Sequence, residues 1–285
     1  MSLIEAVTAV ANEAGYVVPS TIVGSSDVTG KQLLAIANRV VKEMAIAYPW
    51  PKLFASGSIT LSAGVASYAL PASFSWYHYD TFWNSSTRWR LLGPMSPQEY
   101  ADIRGSGIDP TLFSQFQIRG VTSTELLISP TPQSTDTIIF EYIADRAVRP
   151  VTWTTTTTVA AGAYCFYNGN YYSTTAGGTT GVIPPTHTSG SLSDGGVTWT
   201  YYAGAYSTFL ADTDEPILPQ RVLEQGMLER FAEIHGLDSI QPRFLDQLNE
   251  EYSKAMPGKI LYADGGGMSP LIYGINGVGY FGRGY

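Results

Sequence analysis

One long amphipathic segment, residues 29–48, constrains the fold of this chain more than any other feature. Its apolar residues recur at helical spacing in two adjacent rows. The rows are Leu33, Ala37, Val40, Met44 and Ala47, and beside them Leu34, Val41 and Tyr48. Thr29 and Gln32 match a capping box, and Pro49 ends the helix because proline lacks a backbone donor. An apolar stripe this wide predicts burial against other helices.

Partners for this helix are predicted at both ends of the chain. A first helix covers residues 2–14, with a capping box at Ser2 and Glu5 and an end at Gly15. Near the C-terminus, apolar residues recur at helical spacing twice more. The two faces are Leu223, Met227, Phe231 and Ile234, capped by Gly236, and Phe244, Leu248, Tyr252 and Ala255, after a start at Asp238 or Ser239.

Between these helices the apolar pattern changes to the two-residue period of β-strands. Strands are predicted over residues 58–61, 66–70, 77–83, 88–92, 113–119, 125–128 and 137–143. We expect the first two to form a hairpin and a short helix to begin at Ser96. The aromatic cluster of this region is interpreted as a β core, with a sugar-stacking platform as the alternative. It consists of Trp76, Tyr77, Tyr79, Phe82, Trp83 and Trp89.

Residues 151–206 differ from the rest of the chain in composition. Asp194 is the only charged residue between Pro150 and Asp212, and threonine, glycine and tyrosine dominate. Asn168-Gly169 predicts a tight hairpin, because both residues accept the positive φ angles of a type I′ turn. We interpret the segment as an inserted all-β module. Its candidate surface for a partner or a glycan is Trp153, Tyr171, Tyr172, Trp199 and Tyr201.

The predicted fold class is therefore α+β. Two N-terminal and two C-terminal helices form a bundle, and an antiparallel β region lies between them in the sequence. Residues 1–150 and 207–264 are predicted to form one domain, residues 151–206 the inserted module, and residues 265–285 an extended C-terminal segment. That segment is rich in glycine and carries spaced aromatic residues without a regular period.

Composition limits the function classes. Only 14% of the residues are charged, against roughly 25% in typical soluble domains. This favours surfaces that face other proteins. The net charge of −8 argues against a basic nucleic-acid footprint, and the single cysteine, Cys165, excludes an internal disulfide framework. We expect no signal peptide and no membrane span, since no stretch is apolar enough.

No motif gives positive support for an enzyme, a cofactor or a metal. Gly277 to Gly282 match a dinucleotide fingerprint, but only three residues follow where a helix is needed. Asp212, Asp214 and Glu215 could bind a hard cation, although charge and capping at a helix start are simpler roles. Glu99 and Asp102 could form a glycosidase pair, but at this spacing on a helix a solvated face is simpler. We therefore predict no catalytic, cofactor-binding or metal-binding residue.

The order of elements carries a resemblance to a known family. Its residues are Tyr48-Pro49-Trp50 after the second helix, Ile128-Ser129-Pro130-Thr131-Pro132 and Phe140-Glu141-Tyr142 in the β region, two C-terminal helices and an extended end. In this layout the chain resembles the head-to-tail adaptor (connector) proteins of tailed bacteriophages, especially short-tailed ones. Residues 151–206, through Gly177-Gly178-Thr179-Thr180-Gly181 and Asp194-Gly195-Gly196-Val197-Thr198-Trp199, resemble small β modules of phage structural proteins and depart from the plain adaptor pattern.

The resemblance implies a structural virion protein that assembles in the host cytoplasm. It implies a homo-oligomeric ring of twelve copies beneath the portal protein. Such a ring contacts the tail nozzle and tail fibre proteins and continues the channel through which genomic DNA passes without sequence-specific binding. The C-terminal segment would lie on the portal through Leu271, Ile272, Tyr273, Tyr280, Phe281 and Tyr285. The alternatives are a tail component that binds host glycans through the module and, more remotely, a cell-wall hydrolase.

Overall fold

The computed structural model describes residues 2–17, 20–78, 80–106, 114–120, 124–237, 240 and 242–255. The fold is α+β, with helices from the two chain ends in contact and several antiparallel sheets between them in sequence. The described residues form two compact units. The first unit draws on residues 1–52 and 208–285, and the second consists of residues 53–207.

The first unit is a bundle of four helices. They are α1 (Leu3–Glu13), α2 (Val28–Ala47), α4 (Gln220–His235) and α5 (Phe244–Ala255), while α3 (Pro97–Ser106) belongs to the second unit. Helix α4 is central, because α1, α2 and α5 all pack against it. Its buried residues are Val222, Leu223, Gly226, Met227, Leu228, Phe231 and Ala232. Ile234, which the sequence placed on the same face, is instead 58% exposed, so the apolar face ends one turn earlier than predicted.

The predicted organising helix is confirmed, but its start differs from the prediction. Asp27, rather than Thr29, is the N-cap, and its carboxylate accepts a hydrogen bond from the Gly30 backbone N–H at 2.9 Å. A carboxylate is a strong N-cap acceptor, which explains why it outcompetes the hydroxyl two residues later. Leu33, Val40 and Met44 are buried as predicted.

Backbone and side-chain bonds join the two chain ends within this bundle. The first backbone N–H groups of α1 donate to the carbonyls near the start of the C-terminal part, Leu3 to Asp214 at 2.7 Å and Ile4 to Asp212 at 3.2 Å. The Asp212 carboxylate accepts from the N–H groups of Ile22 and Val23, at 3.1 and 2.7 Å. These donors would otherwise be unsatisfied, since a helix start and a turn provide no partners of their own.

A side chain from α4 also fixes the start of α5. Glu229 Oε1 accepts the backbone N–H groups of Arg243 and Phe244, the latter at 2.6 Å. Farther along α5, the Tyr252 ring stacks on the Tyr48 ring, with 4.3 Å between their centroids. Just after α2, the Trp50 indole Nε1 donates a hydrogen bond to the Met44 carbonyl at 2.7 Å. The sequence predicted a start at Asp238 or Ser239, whereas α5 begins at Phe244, where the Glu229 carboxylate accepts two of the first backbone N–H groups.

The second unit contains two sheets from the predicted β region. The strands are β1 (Phe54–Thr60), β2 (Ser67–Ala69), β3 (Phe74–Tyr77), β4 (Trp83–Asn84), β5 (Trp89–Arg90), β6 (Gln115–Arg119), β7 (Glu125–Ser129) and β8 (Thr137–Ala144). One sheet has the order β1-β8-β4-β5, with β3 also paired to β8, and the other has the order β2-β7-β6. All these pairs are antiparallel, and the two sheets share one hydrophobic core.

The predicted hairpin between residues 58–61 and 66–70 is wrong. Strand β1 pairs with β8, whereas β2 pairs with β7, so the two segments belong to different sheets. The intervening turn is closed by Tyr68, whose hydroxyl donates to the Val65 carbonyl at 2.7 Å. Pairing with β8 places Ile59 opposite Ile138, and both side chains are buried in the core.

The remaining strands follow in short pieces. They are β9 (Val148–Arg149), β10 (Thr158–Val159), β11 (Tyr164–Tyr167), β12 (Asn170–Ser173), β13 (Gly178–Thr179), β14 (Ser191–Asp194), β15 (Val197–Tyr201) and β16 (Glu215–Pro216), the last in the first unit. A four-stranded sheet has the order β11-β12-β15-β14. The predicted Asn168-Gly169 turn connects β11 to β12, and both residues have positive φ angles, 46° and 84°.

Gly226 allows the close approach of three helices in the bundle. A Cβ atom at this position would lie 2.6 Å from Val40 Cγ1 and 2.7 Å from Phe244 Cδ2. Gly226→Ala should therefore destabilise the protein by about 1–3 kcal/mol through overpacking, more than alanine gains in helix propensity. We expect the melting temperature to fall by several degrees in differential scanning calorimetry.

Gly105 in α3 is the matched control. Among the described residues, and apart from the helix's own nearby backbone and the two chain neighbours, no heavy atom lies within 4 Å of the Cβ that alanine would add there. Gly105→Ala should leave the melting temperature unchanged or slightly raised. An unchanged melting temperature for Gly226→Ala would contradict the packing described for α4.

Candidate functional site

The sequence named three groups of candidate residues: the portal contacts near the C-terminus, the aromatic residues of the module and the aromatic cluster of the β region. The six residues predicted to contact the portal lie outside the described residues: Leu271, Ile272, Tyr273, Tyr280, Phe281 and Tyr285. The five aromatic residues of the module and most of the aromatic cluster in the β region are described. Of that cluster, Tyr79 alone lies outside the described residues.

The aromatic residues of the module mainly build its interior. Tyr172 and Trp199 are almost fully buried and pack with Cys165 and Val197, and Trp153 and Tyr201 lie partly buried against them. Tyr171 is also buried. In this structure the rings that were expected to face a partner therefore contact mostly other residues of the module.

A buried carboxylate, Asp194, connects the elements of the module. Its Oδ2 accepts hydrogen bonds from the indole N–H groups of Trp153, at 2.8 Å, and Trp199, at 3.2 Å, and its Oδ1 accepts from the Gly181 backbone at 2.7 Å. Asp194 is only 4% exposed. Three donors thus compensate the cost of burying the one carboxylate in residues 151–206.

The two glycine-rich motifs of the module meet at this carboxylate. The Gly196 backbone donates to the Thr179 carbonyl at 2.8 Å, while Gly181 donates to Asp194. A Cβ atom at Gly178 would lie 2.2 Å from the Gly196 carbonyl oxygen, so the two backbones approach too closely for a larger residue. Glycine and aspartate in these motifs therefore serve the packing of the module.

The module is anchored where it leaves the β region. Tyr171 donates from its hydroxyl to the Val148 carbonyl at 3.2 Å, and the Arg146 guanidinium lies 4.7 Å from the centre of the Tyr171 ring. Burial raises the pKa of Tyr171 to about 12. The Tyr206 backbone N–H donates to the Asp145 carbonyl, and the Tyr206 carbonyl accepts from the Val148 backbone N–H. The base of the module is consequently held by residues that precede position 151.

Part of the aromatic cluster in the β region is core, and part forms an exposed face. Phe82 is buried and stacks on Phe116 and Phe140, with 4.3 and 4.8 Å between ring centroids. In β4, Trp83 is 44% exposed whereas Asn84 is buried, because adjacent residues of a strand point to opposite faces. The prediction that the whole cluster is core is therefore wrong for its tryptophans.

Two of these tryptophans, Trp76 and Trp83, lie on the outer face of the first sheet. Trp83 is opposite Ile139, which is 46% exposed, and Trp76 is opposite Ile143. Trp76 is exposed to the same extent as Trp83, and Trp89 is more exposed. Large apolar residues grouped on a surface are typical of sites that contact other proteins. The alternation of Phe82 and Trp83 was the sequence signal for this face.

The acidic residues that could have suggested catalysis or metal binding make structural hydrogen bonds. Asp212 and Asp214 accept backbone N–H groups, Asp214 from Leu210 at 2.7 Å and Ala211 at 3.0 Å. Glu99 accepts from the Ser96 backbone in a capping box, which lowers the pKa of Glu99. Within the described residues, no group of three or more histidine, cysteine, aspartate or glutamate side chains is placed to hold a metal ion. None of the described helices could span a membrane.

Comparison with protein families identifies the chain. A family model described as "SU10 adaptor protein" matches residues 1–165, more than half of the chain. The chain belongs to the SU10 adaptor protein family. The matched part contains α1, α2, α3 and the two sheets of the β region. No sequence among the curated proteins matches the chain.

Membership in this family confirms the resemblance seen in the sequence. The chain is a phage head-to-tail adaptor protein and a structural component of the virion. The family is structural rather than enzymatic, which confirms the prediction that the chain is not an enzyme. The match ends at residue 165, inside β11, so most of the module lies beyond it.

Substitution of Asp194 should open the module. Asp194→Asn replaces one acceptor oxygen by a donor, and every donor now bonded to the carboxylate would face a worse partner. We expect the module to lose about 1–3 kcal/mol of stability. Cys165 reports this opening, because its burial, reinforced by the charge of Asp194, raises the thiol pKa to about 12 and protects it from thiol reagents.

Labelling of Cys165 by a thiol reagent at pH 8 measures the change. The variant should react at least about five-fold faster than the parent protein, since 1 kcal/mol corresponds to that ratio of open to closed forms. Asp80→Asn is the control, because Asp80 is 74% exposed in its ion pair with Arg90. Equal labelling rates for Asp194→Asn and the parent would show that the carboxylate does not hold the module together.

Proposed function

We propose that this adaptor forms a ring beneath the portal protein, joins the capsid to the tail nozzle and continues the DNA channel. The observation that carries the proposal is the family match over residues 1–165. The bundle from both chain ends supports it, since a bundle with a compact core can bear the load between head and tail. A twelve-fold ring is the proposed stoichiometry.

The negative net charge of the chain supports a channel through which DNA passes. The chain carries a net charge of −8, and an acidic channel wall repels phosphate groups instead of retaining them. DNA can then move through the ring without binding to it. The low content of charged residues, 14%, suits a protein whose surfaces are largely covered by neighbours.

The C-terminal segment, residues 265–285, is the proposed contact with the portal. It combines glycines with spaced apolar residues and lacks a period that would build its own core. Each large apolar side chain buried on the portal contributes about 1.5–3 kcal/mol. Fixing each residue costs roughly 1–2 kcal/mol, so backbone hydrogen bonds, as in strand addition, must supply the surplus. The tail nozzle and tail fibre proteins are the proposed partners of the remaining surfaces.

The tryptophan-bearing face of the first sheet also fits a protein partner, since Trp83 and Ile139 form an exposed apolar pair. The alternative of glycan binding by the module requires exposed rings for sugar stacking. Tyr172 and Trp199 are buried, so these two residues offer that alternative no platform.

Complementation of a phage that lacks this protein tests both the role and the contact. Without the protein we expect filled heads that carry no tails. Supplying the full chain should restore tailed, infectious particles. Supplying residues 1–264 should not, because the proposed portal contact is missing, although the melting temperature of this truncated protein should nearly equal that of the full chain.

Binding to isolated portal rings separates the adaptor role from the portal contact proposed for residues 265–285. The truncated protein should sediment with portal rings far less than the full chain does. A control chain with Arg283→Ala keeps the apolar anchors and should bind as the full chain. Equal binding of the truncated protein would exclude the C-terminal segment as the anchor, and tailed particles in the absence of the protein would overturn the adaptor role.

A further inference from the structure

Two exposed ridges on the bundle have the same spacing and opposite charge. On α1, Glu5, Ala9 and Glu13 follow one another at four-residue intervals and are all exposed. On α2, Lys31, Ala35 and Arg39 repeat the same interval and are also exposed. The end charges of each ridge are eight residues apart, about 12 Å along a helix. Each ridge has an alanine at its centre, which leaves room for a second helix.

Further exposed residues of α2 flank the basic ridge. Val28, Lys42 and Ile46 lie on the same side of α2 and are exposed. Glu43, four residues after Arg39, ends the row and accepts a hydrogen bond from Arg39 Nε at 2.9 Å, while the Arg39 side chain remains 65% exposed. In a chain with a net charge of −8, copies repel one another on average. A local basic surface of this kind offsets that repulsion where it meets an acidic surface of another copy.

We propose that the α2 ridge of one copy packs against the α1 ridge of the next copy in the ring. Rows of residues at four-residue intervals are the ridges that interlock when two helices cross at about −50°. The alanines permit close approach, and the acidic and basic ends pair across the contact. The proposal rests on the ring of the proposed function and names the helix faces that close it.

The arrangement is head-to-tail. Both α1 and α2 pack on the central helix α4, and each copy presents one acidic and one basic ridge. Because the two ridges are different surfaces, each copy can bind one neighbour on each side, and such heterologous contacts generate rings when the rotation closes. The remaining exposed aliphatic residues of α2, Val28 and Ile46, extend the contact beyond the charges.

Cross-linking in assembled particles tests the contact. In particles complemented with the Ala9→Cys/Ala35→Cys double variant, a short bis-maleimide should join neighbouring copies into a ladder that reaches the full ring. Neither single variant should form a ladder. The natural Cys165 stays silent because it is buried and its thiol pKa is about 12. Ala9→Cys/Ser253→Cys, with the second cysteine on the exposed side of α5, is the matched control.

Charge reversal provides a second readout. Lys31→Glu/Arg39→Glu in the double-cysteine background should abolish the ladder, and adding Glu13→Lys should partly restore it. A ring seen by electron microscopy without cross-links between residues 9 and 35 would overturn this contact and leave the proposed function standing. Tailed particles without a ring of this protein would overturn both. A ladder that survives charge reversal would contradict the charge pairing.

Discussion

The joining of the two chain ends is the constraint on which the bundle depends. The carboxylate of Asp212 bonds to the backbone of Ile22, 190 residues earlier in the chain, and the carbonyl of Asp214 accepts the first N–H group of α1. Helix α4 then supplies the core against which α1, α2 and α5 pack. Helices α1 and α2 both pack on α4, which lies about 170 residues or more after them, so their apolar faces are covered only when the C-terminal part returns. In the sequence, the second unit accordingly lies between the two segments that together form one helical core.

Within the second unit, residues 151–206 have an interior of their own. The module has its own buried carboxylate, its own aromatic core and a base fixed by Arg146 and Val148. Its interior bonds therefore do not depend on the bundle. Residues 151–206 carry one charge, and that charge is buried, so the surface of the module bears no formal charge with neutral histidine. In the proposed ring, such a surface would add no electrostatic repulsion between neighbouring copies.

Local signals in the sequence predicted the local structure well. The capping box at Ser2, the left-handed Gly236 and the Asn168-Gly169 turn all appear where expected, since each depends only on residues close in sequence. Long-range choices could not be predicted in this way. The pairing of β1 with β8 depends on residues about eighty positions apart, and the exposure of Ile234 depends on where neighbouring helices end. The family was recognisable because the order of elements along the chain does not depend on these long-range choices. The residues predicted to contact the portal lie outside the described residues, and that part of the site stays a prediction.

The central claim, that copies of this chain form the joint between head and tail, is tested most directly by electron cryomicroscopy of the intact particle. A reconstruction of the head–tail joint should show one ring between the portal and the tail nozzle, into which the bundle and the β region of each copy fit, with an open channel on its axis. Density for this chain elsewhere in the particle, or a portal that contacts the nozzle directly, would contradict the account.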